Sequence, residues 1–155
     1  MPAVVPKDEL LVGGPILSAM ALDGSEPIAG ARRAASGFMT EVQAVHGLPV
    51  SDRAMTMVEL VVSELVTNAY KYAPGPCLLE LEVRAGVVEI SVWDTAAQLP
   101  AVSAADPSRI GQHGLEIAMA VCRSFEVRRE PVGKRVKVTI GLADDPGGDQ
   151  AGRLF

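Results

Sequence analysis

The stretch Ser63-Glu64-Leu65-Val66-Thr67-Asn68-Ala69-Tyr70-Lys71-Tyr72-Ala73 decides how this chain is interpreted. Because four residues advance about one helical turn, Glu64 and Asn68 project from nearly the same side of a helix. Apolar residues recur around them with helical period, which predicts that the other side of the helix packs on a core. A carboxylate and a carboxamide so placed can share one small target, although the same pair also occurs on ordinary solvated helix faces.

Length and composition restrict the class of protein. The chain has 155 residues, 48% of them hydrophobic, which fits one domain with one sizeable core. A formal net charge of -5 without a Lys or Arg block disfavours a nucleic-acid surface or a membrane anchor. Cys77 and Cys122 lack the spacing of a disulfide framework or zinc site, and the apolar run Leu10 to Leu22 is too short to span a bilayer. We therefore expect a cytoplasmic protein whose partners are proteins or small molecules.

Periodicity and turn signals predict the order of elements. We expect a loose N-terminal arm over residues 1–15, one domain over residues 16–142 and a disordered tail over residues 143–155. The predicted elements are a strand at 16–22, a helix at 28–45, a helix from Ser51 or Asp52 to 73, strands at 77–84 and 88–94, a loop at 95–110, a helix at 115–124, and strands at 125–130 and 135–142.

One carboxylate breaks the alternation of the central strands. Val88, Ile90 and Val92 predict a buried face, and Asp94 takes the next position in that series. Burying an unpaired carboxylate is costly, so Asp94 should have a hydrogen-bond donor. That donor belongs either to the following turn, which aspartate often caps, or to a bound ligand.

A glycine pair precedes the third predicted helix. The segment Gly111-Gln112-His113-Gly114 ends the long loop that starts at Thr95, and loops of this length are commonly lids or binding elements. Glycines at a helix start let backbone N–H groups converge on a phosphate, although helix-entry turns also use glycine for steric reasons. His113 can contact such an anion or simply lie in an exposed loop.

Together these motifs resemble the ATP-binding fold shared by gyrase, histidine kinases, heat-shock chaperones and mismatch-repair ATPases, the GHKL or Bergerat fold. The shared order is Glu-x-x-x-Asn-Ala on a helix, Asp ending the second following strand, a lid, Gly-x-x-Gly opening a helix, and a final Gly-Lys hairpin, over Ile28 to Leu142. We expect a two-layer α/β sandwich, with a mixed, mainly antiparallel sheet covered on one face by helices that begin at Ile28, Ser51 and Gly114.

Carried over position by position, the resemblance implies one nucleotide site. Asn68 would help to hold Mg²⁺ on the phosphates of ATP, and Glu64 would be the general base toward a protein serine hydroxyl. Asp94 would accept a hydrogen bond from the adenine amino group. The other positions implied to bind the cofactor are Ala96, Gly111, His113, Gly114 and Leu115.

The sequence Ser-Glu-Leu-Val-Thr-Asn-Ala at residues 63–69 is similar to that of serine/threonine kinases that act as anti-sigma factors in bacterial partner switching. This likeness implies a kinase that phosphorylates an anti-anti-sigma protein of the STAS type, binds a sigma factor and forms a homodimer. Two positions depart from the family pattern: Ala96 replaces a glycine, and Lys134 replaces a hydroxyl-bearing residue beside the last-hairpin glycine. They keep open a second hypothesis, a binding module that regulates by protein contact without phosphoryl transfer.

Overall fold

The computed structural model describes residues 14–95 and 122–143. The elements in chain order are β1 (Ile16–Leu22), α1 (Ile28–Ala44), α2 (Asp52–Tyr72), β2 (Cys77–Arg84), β3 (Val87–Asp94), β4 (Ser124–Arg129) and β5 (Lys134–Gly141). The strands form one sheet in the order β1-β2-β3-β5-β4, and all four pairings among these described strands are antiparallel. The predicted two-layer α/β sandwich is confirmed. The third predicted helix, which would begin at Gly114, lies outside the described residues.

The two helices begin and end close to where the sequence predicts. The Ser51 hydroxyl accepts a hydrogen bond from the Ala54 amide at 3.0 Å, so Ser51 caps α2. The segment Ala73-Pro74-Gly75-Pro76 follows the last helical residue, Tyr72, because proline cannot continue a helix. Neither of these two described helices is long and apolar enough to cross a membrane.

One hydrophobic core lies between the helices and one face of the sheet. The strand residues that face it alternate along each strand, as predicted. The core residues of β2, β3 and α2 are Leu79, Leu81 and Val83; Val88, Ile90 and Val92; and Val58, Val61, Val62, Leu65 and Val66. Burying one such side chain stabilises the fold by about 1.5–3 kcal/mol, so this shared face holds α2 on the sheet.

The opposite face of the sheet carries charged side chains. Arg135 Nη2 lies 2.8 Å from Glu80 Oε1, and the Arg135 guanidinium lies 5.8 Å from the centroid of the Trp93 ring. Lys137 Nζ lies 3.7 Å from Glu89 Oε2. Pairs of this kind contribute only about 0–1 kcal/mol each, so packing on the helix-covered face determines the fold.

Two hydrogen bonds fix the direction of α2 along the sheet. The Ser51 amide donates to the Leu142 carbonyl at 2.8 Å, and the Leu142 amide donates to the Gly86 carbonyl at 2.9 Å. The start of α2 therefore lies at the end of the sheet where the β2–β3 hairpin turns. Since only residues 73–76 separate the last residue of α2 from Cys77, the end of α2 lies at the other end of the sheet.

Candidate functional site

Asp94 is buried at the end of β3, on the helix-covered face of the sheet. Its exposed fraction is 2%, as the alternation of β3 predicts for this position. Antiparallel register places Cys77 of β2 on one side of it and Lys134 of β5 on the other. These three side chains therefore form a row across the end of the sheet to which α2 runs.

A hydrogen-bond donor for Asp94 is present within the chain itself. Lys134 Nζ lies 2.9 Å from Asp94 Oδ2; the Lys134 side chain is 24% exposed and that of Asp94 is 3% exposed. This donor is additional to the two that the sequence predicts, the following turn or a ligand, because Lys134 is separated from Asp94 by 40 positions in the chain. The ammonium group compensates the buried carboxylate, which would otherwise be strongly destabilising.

The pairing of Lys134 with Asp94 is not among the predictions from the sequence, in which Lys134 is only a departure from the family pattern. A signal for its orientation was present. Val138 and Ile140 of β5 face the core, and counting back in steps of two through Val136 reaches Lys134. This is the same alternation that placed Asp94 on the buried face, so both charged residues end an inward-facing series.

The turn that precedes β5 is pressed against the end of β3. Gly133 has φ of +78°, and a Cβ at this position would overlap the Asp94 carbonyl oxygen and would lie 2.9 Å from Asp94 Oδ1. Trp93 Nε1 donates a hydrogen bond to the Val132 carbonyl at 3.2 Å. Only glycine allows this close approach, which positions the backbone next to Lys134.

We expect Gly133→Ala to destabilise the protein more than the same change at a turn with free space. Alanine at positive φ costs about 1–2 kcal/mol, and the clash with Asp94 adds roughly 1–3 kcal/mol. Gly86→Ala is the matched control, because Gly86 has φ of +81° and a Cβ there meets nothing within 4 Å. Denaturant unfolding measures both variants, and equal losses of unfolding free energy would contradict the close approach at Gly133.

Cys77 lies next to Asp94 in the same row and is a free, buried thiol. Burial raises the pKa of the Cys77 thiol to about 11, and the negative charges of Asp94 and Glu26 act in the same direction. The thiol is therefore protonated at neutral pH. Cys77 behaves as a small apolar core residue, as predicted.

The raised pKa of Cys77 predicts a loss of stability at alkaline pH. The unfolded thiol, with an ordinary pKa of 9.0, releases its proton before the folded thiol with a pKa of about 11. The buried thiol therefore makes its full contribution to the free energy of unfolding below the pKa of the unfolded state. That contribution is lost as the pH rises through the pKa of the folded state. Unfolding free energies of wild type and Cys77→Ala, compared at pH values from about 8 to 11, should show a shrinking advantage of the wild type. An advantage that stays constant with pH would contradict this result.

Glu64 and Asn68 lie one turn apart in the second half of α2. Both residues are half-buried. The Asn68 Oδ1 atom is fully buried, and among the described residues it has no hydrogen-bond partner. An unsatisfied buried acceptor costs about 1–3 kcal/mol, and a water or an ion is a common partner of such an atom in a native fold.

The fold brings Asn68 and Asp94 to the same end of the sandwich. Asn68 lies one turn before Tyr72, where α2 ends, and after four intervening residues the chain reaches Cys77, in the row that contains Asp94. Within residues 14–95 and 122–143, no group of three or more His, Cys, Asp or Glu side chains could hold a metal ion. Mg²⁺ beside nucleotides is commonly held by one or two protein ligands together with phosphate and water oxygens, so a cation at Asn68 does not require such a group.

The structure does not describe the other predicted site positions. They are Ala96, Gly111, His113, Gly114 and Leu115, and all of them lie outside the described residues. Their roles in binding the cofactor stay predictions.

A buried carboxylate at a strand end, with an unsatisfied carboxamide near the end of the covering helix, is consistent with a nucleotide-binding ATPase domain. The family model of the histidine kinase-like ATPase domain matches residues 28–140, a range that contains Glu64, Asn68, Asp94 and Lys134. The chain therefore belongs to the histidine kinase-like ATPase domain family. Membership in this family implies ATP as its ligand.

The solved structures that share the fold include the following two. The RsbU and RsbW domains of Rv1364c from Mycobacterium tuberculosis match with a TM-score of 0.54 and 20% identity, over 82% of this chain and 32% of that one. The histidine kinase domain of the Erythrobacter litoralis EL346 blue-light activated histidine kinase matches with a TM-score of 0.50 and 17% identity, over 88% of this chain and 70% of that one. The chain thus spans about a third of the length of the first structure. No curated protein sequence matches it significantly.

Proposed function

We propose that this protein is an ATP-binding regulator of the partner-switching type. In this proposal it is a serine/threonine kinase that transfers the γ-phosphate of ATP to an anti-anti-sigma protein of the STAS type and so controls the availability of a sigma factor. The observation that carries the proposal is the buried, unsatisfied Asn68 Oδ1, one turn from Glu64 and at the same end of the fold as Asp94. Family membership and the fold shared with a structure that contains an RsbW domain support it.

The proposed nucleotide site has an oxygen acceptor at each of its two ends. Asp94 accepts a hydrogen bond from the amino group of adenine, in a setting where little water competes because the residue is 2% exposed. Asn68 Oδ1 is a ligand of Mg²⁺ on the phosphates, which satisfies the otherwise unpaired acceptor. When bound, Mg²⁺ supplies neutralisation of the phosphate charge.

Glu64 is the proposed general base. It takes the proton from the serine Oγ of the partner protein, and the Oγ–Pγ bond forms as the bond from Pγ to the β–γ bridging oxygen breaks. ADP leaves and the proton stays on Glu64. Such a transfer depends on positioning and charge neutralisation more than on covalent participation of the protein.

A second candidate function is regulation by protein contact without phosphoryl transfer. The ion pair between Lys134 and Asp94 favours it, because an ammonium group already engages the carboxylate that adenine would use. Under this alternative the protein, with weak or no use of ATP, presents a surface of the fold to its partner.

Incubation with labelled ATP, Mg²⁺ and candidate STAS proteins distinguishes the two functions. The kinase proposal predicts label on one STAS protein and none when its acceptor serine is replaced by alanine. A STAS protein that forms a stable complex with the regulator and stays unlabelled would favour the second function. Inactivity toward every acceptor, without complex formation, would contradict both.

A further inference from the structure

We propose that Lys134 competes with the nucleotide base for Asp94 and thereby lowers the affinity of the site for adenine nucleotides. This inference rests on the proposed function, since it takes Asp94 as the acceptor for the base. It concerns a position at which the chain departs from its family and which the proposed mechanism leaves without a role.

The first argument is the strength of the competing donor. Lys134 and Asp94 are directly opposite residues of β5 and β3, so Nζ reaches Oδ2 at 2.9 Å without any shift of the backbone. Any hydrogen bond to a carboxylate is charge-assisted, whether the donor is lysine or the neutral amino group of adenine. The Lys134 ammonium adds a full positive charge at 2.9 Å from a carboxylate that is 3% exposed, so it is the stronger of the two donors.

The hairpin backbone also approaches the other carboxylate oxygen of Asp94 closely. The Gly133 backbone approaches Asp94 so closely that a Cβ there would lie 2.9 Å from Oδ1. The hydrogen bond from Trp93 Nε1 to the Val132 carbonyl, at 3.2 Å, ties the same turn to β3. Because this turn is held in place, it cannot move aside to make room for the base. The base therefore reaches Asp94 only by displacing Lys134.

Lys137 provides a matched control on the same strand. It carries the same charge, three residues further along β5, but belongs to the opposite face of the sheet, where its Nζ lies 3.7 Å from Glu89 Oε2. Replacing Lys137 therefore changes the net charge of the protein by the same amount without touching the row that contains Asp94.

Calorimetric titration with Mg-ATP tests the competition. We expect Lys134→Thr to tighten binding by at least about tenfold, the size of effect produced by losing one charge-assisted hydrogen bond. Lys137→Thr should leave the affinity within about twofold of wild type, since surface charges act weakly at this range. In an Asp94→Asn background the gain from Lys134→Thr should disappear, because no carboxylate is left to compete for.

A stability measurement separates competition from a purely structural role. Without nucleotide, Lys134→Thr should lower the unfolding temperature, because it leaves the buried Asp94 carboxylate without its ammonium partner. Competition thus predicts lower stability together with tighter binding of Mg-ATP. A purely structural role predicts lower stability together with weaker binding of Mg-ATP. Lys134→Met, which retains an apolar stem but no charge, repeats the test should Lys134→Thr not fold.

The outcomes separate this inference from the function on which it rests. Unchanged or weaker binding by both Lys134 variants, with wild type binding Mg-ATP normally, overturns the competition and leaves the proposed function standing. Absence of Mg-ATP binding in wild type and in every variant overturns both.

Discussion

Asn68→Ala is expected to abolish binding of Mg-ATP. The variant loses the buried Oδ1 atom that we assign to the cation, and without it the phosphates lose the link to α2. Changes next to a metal commonly lower its affinity by 10–100-fold, and we expect loss of a direct ligand to cost at least about 100-fold. Calorimetric titration with Mg-ATP measures this loss directly.

The matched control is Thr67→Ala. Thr67 is the adjacent residue of α2, also half-buried, and its side chain leaves the helix about 100° away from that of Asn68. We expect this variant to bind Mg-ATP as the wild type does. Undiminished heats for Asn68→Ala would refute the role of Asn68 in holding the cation.

Stability supplies an independent readout for the same variant. Since Oδ1 has no hydrogen-bond partner among the described residues, its removal relieves an unsatisfied buried acceptor. Asn68→Ala should therefore keep or raise the unfolding free energy while it loses the ligand. A large loss of stability would mean that Asn68 holds the fold together, in which case lost binding would say nothing about the cation.

Glu64→Gln is expected to retain Mg-ATP binding and to slow transfer to the serine substrate by about 10²–10⁴-fold. The amide has nearly the same shape as the carboxylate but cannot accept the hydroxyl proton, so the loss falls on the chemical step. Measurement of the nucleotide affinity by calorimetry and of labelled product in single-turnover reactions separates binding from transfer.

Glu59→Gln is the control for this change. It lies on the same helix and removes the same charge, but the Glu59 carboxylate accepts a hydrogen bond from Ser36 Oγ at 2.6 Å in the contact between α1 and α2. We expect it to transfer phosphate at the wild-type rate. Equal transfer rates for Glu64→Gln and wild type would exclude Glu64 as the base. If Glu64→Gln instead lost its affinity for Mg-ATP, Glu64 would be assigned to nucleotide binding.

The architecture could be predicted because its signals are local. Alternation in β2 and β3, the Ala85-Gly86 turn and the prolines after α2 each act within a few residues, and the two helices and five strands lie close to the predicted positions. The burial of Asp94 followed from the same alternation. These features depend on the neighbours of each residue in the chain, which the sequence displays.

The partners of the site residues could not be predicted in the same way. Alternation indicates which face Lys134 occupies, but its contact with Asp94 depends on the register between β5 and β3, two strands that are not consecutive in the chain. The unsatisfied state of Asn68 Oδ1 likewise depends on every element packed around α2. Such facts arise from long-range packing, for which a single sequence carries no direct signal.

Backbone amide NMR during a Mg-ATP titration tests most directly whether Asn68 and Asp94 belong to one nucleotide site. The amide signals of Asn68 and Ala69 on α2 should shift along a single saturation curve with those of Asp94 and Lys134, which face each other where β3 ends and β5 begins. The amide of Gly86, at the far end of the sheet, should stay unchanged. Shifts confined to α2 or to the strand ends, or two regions that saturate at different nucleotide concentrations, would contradict the shared site.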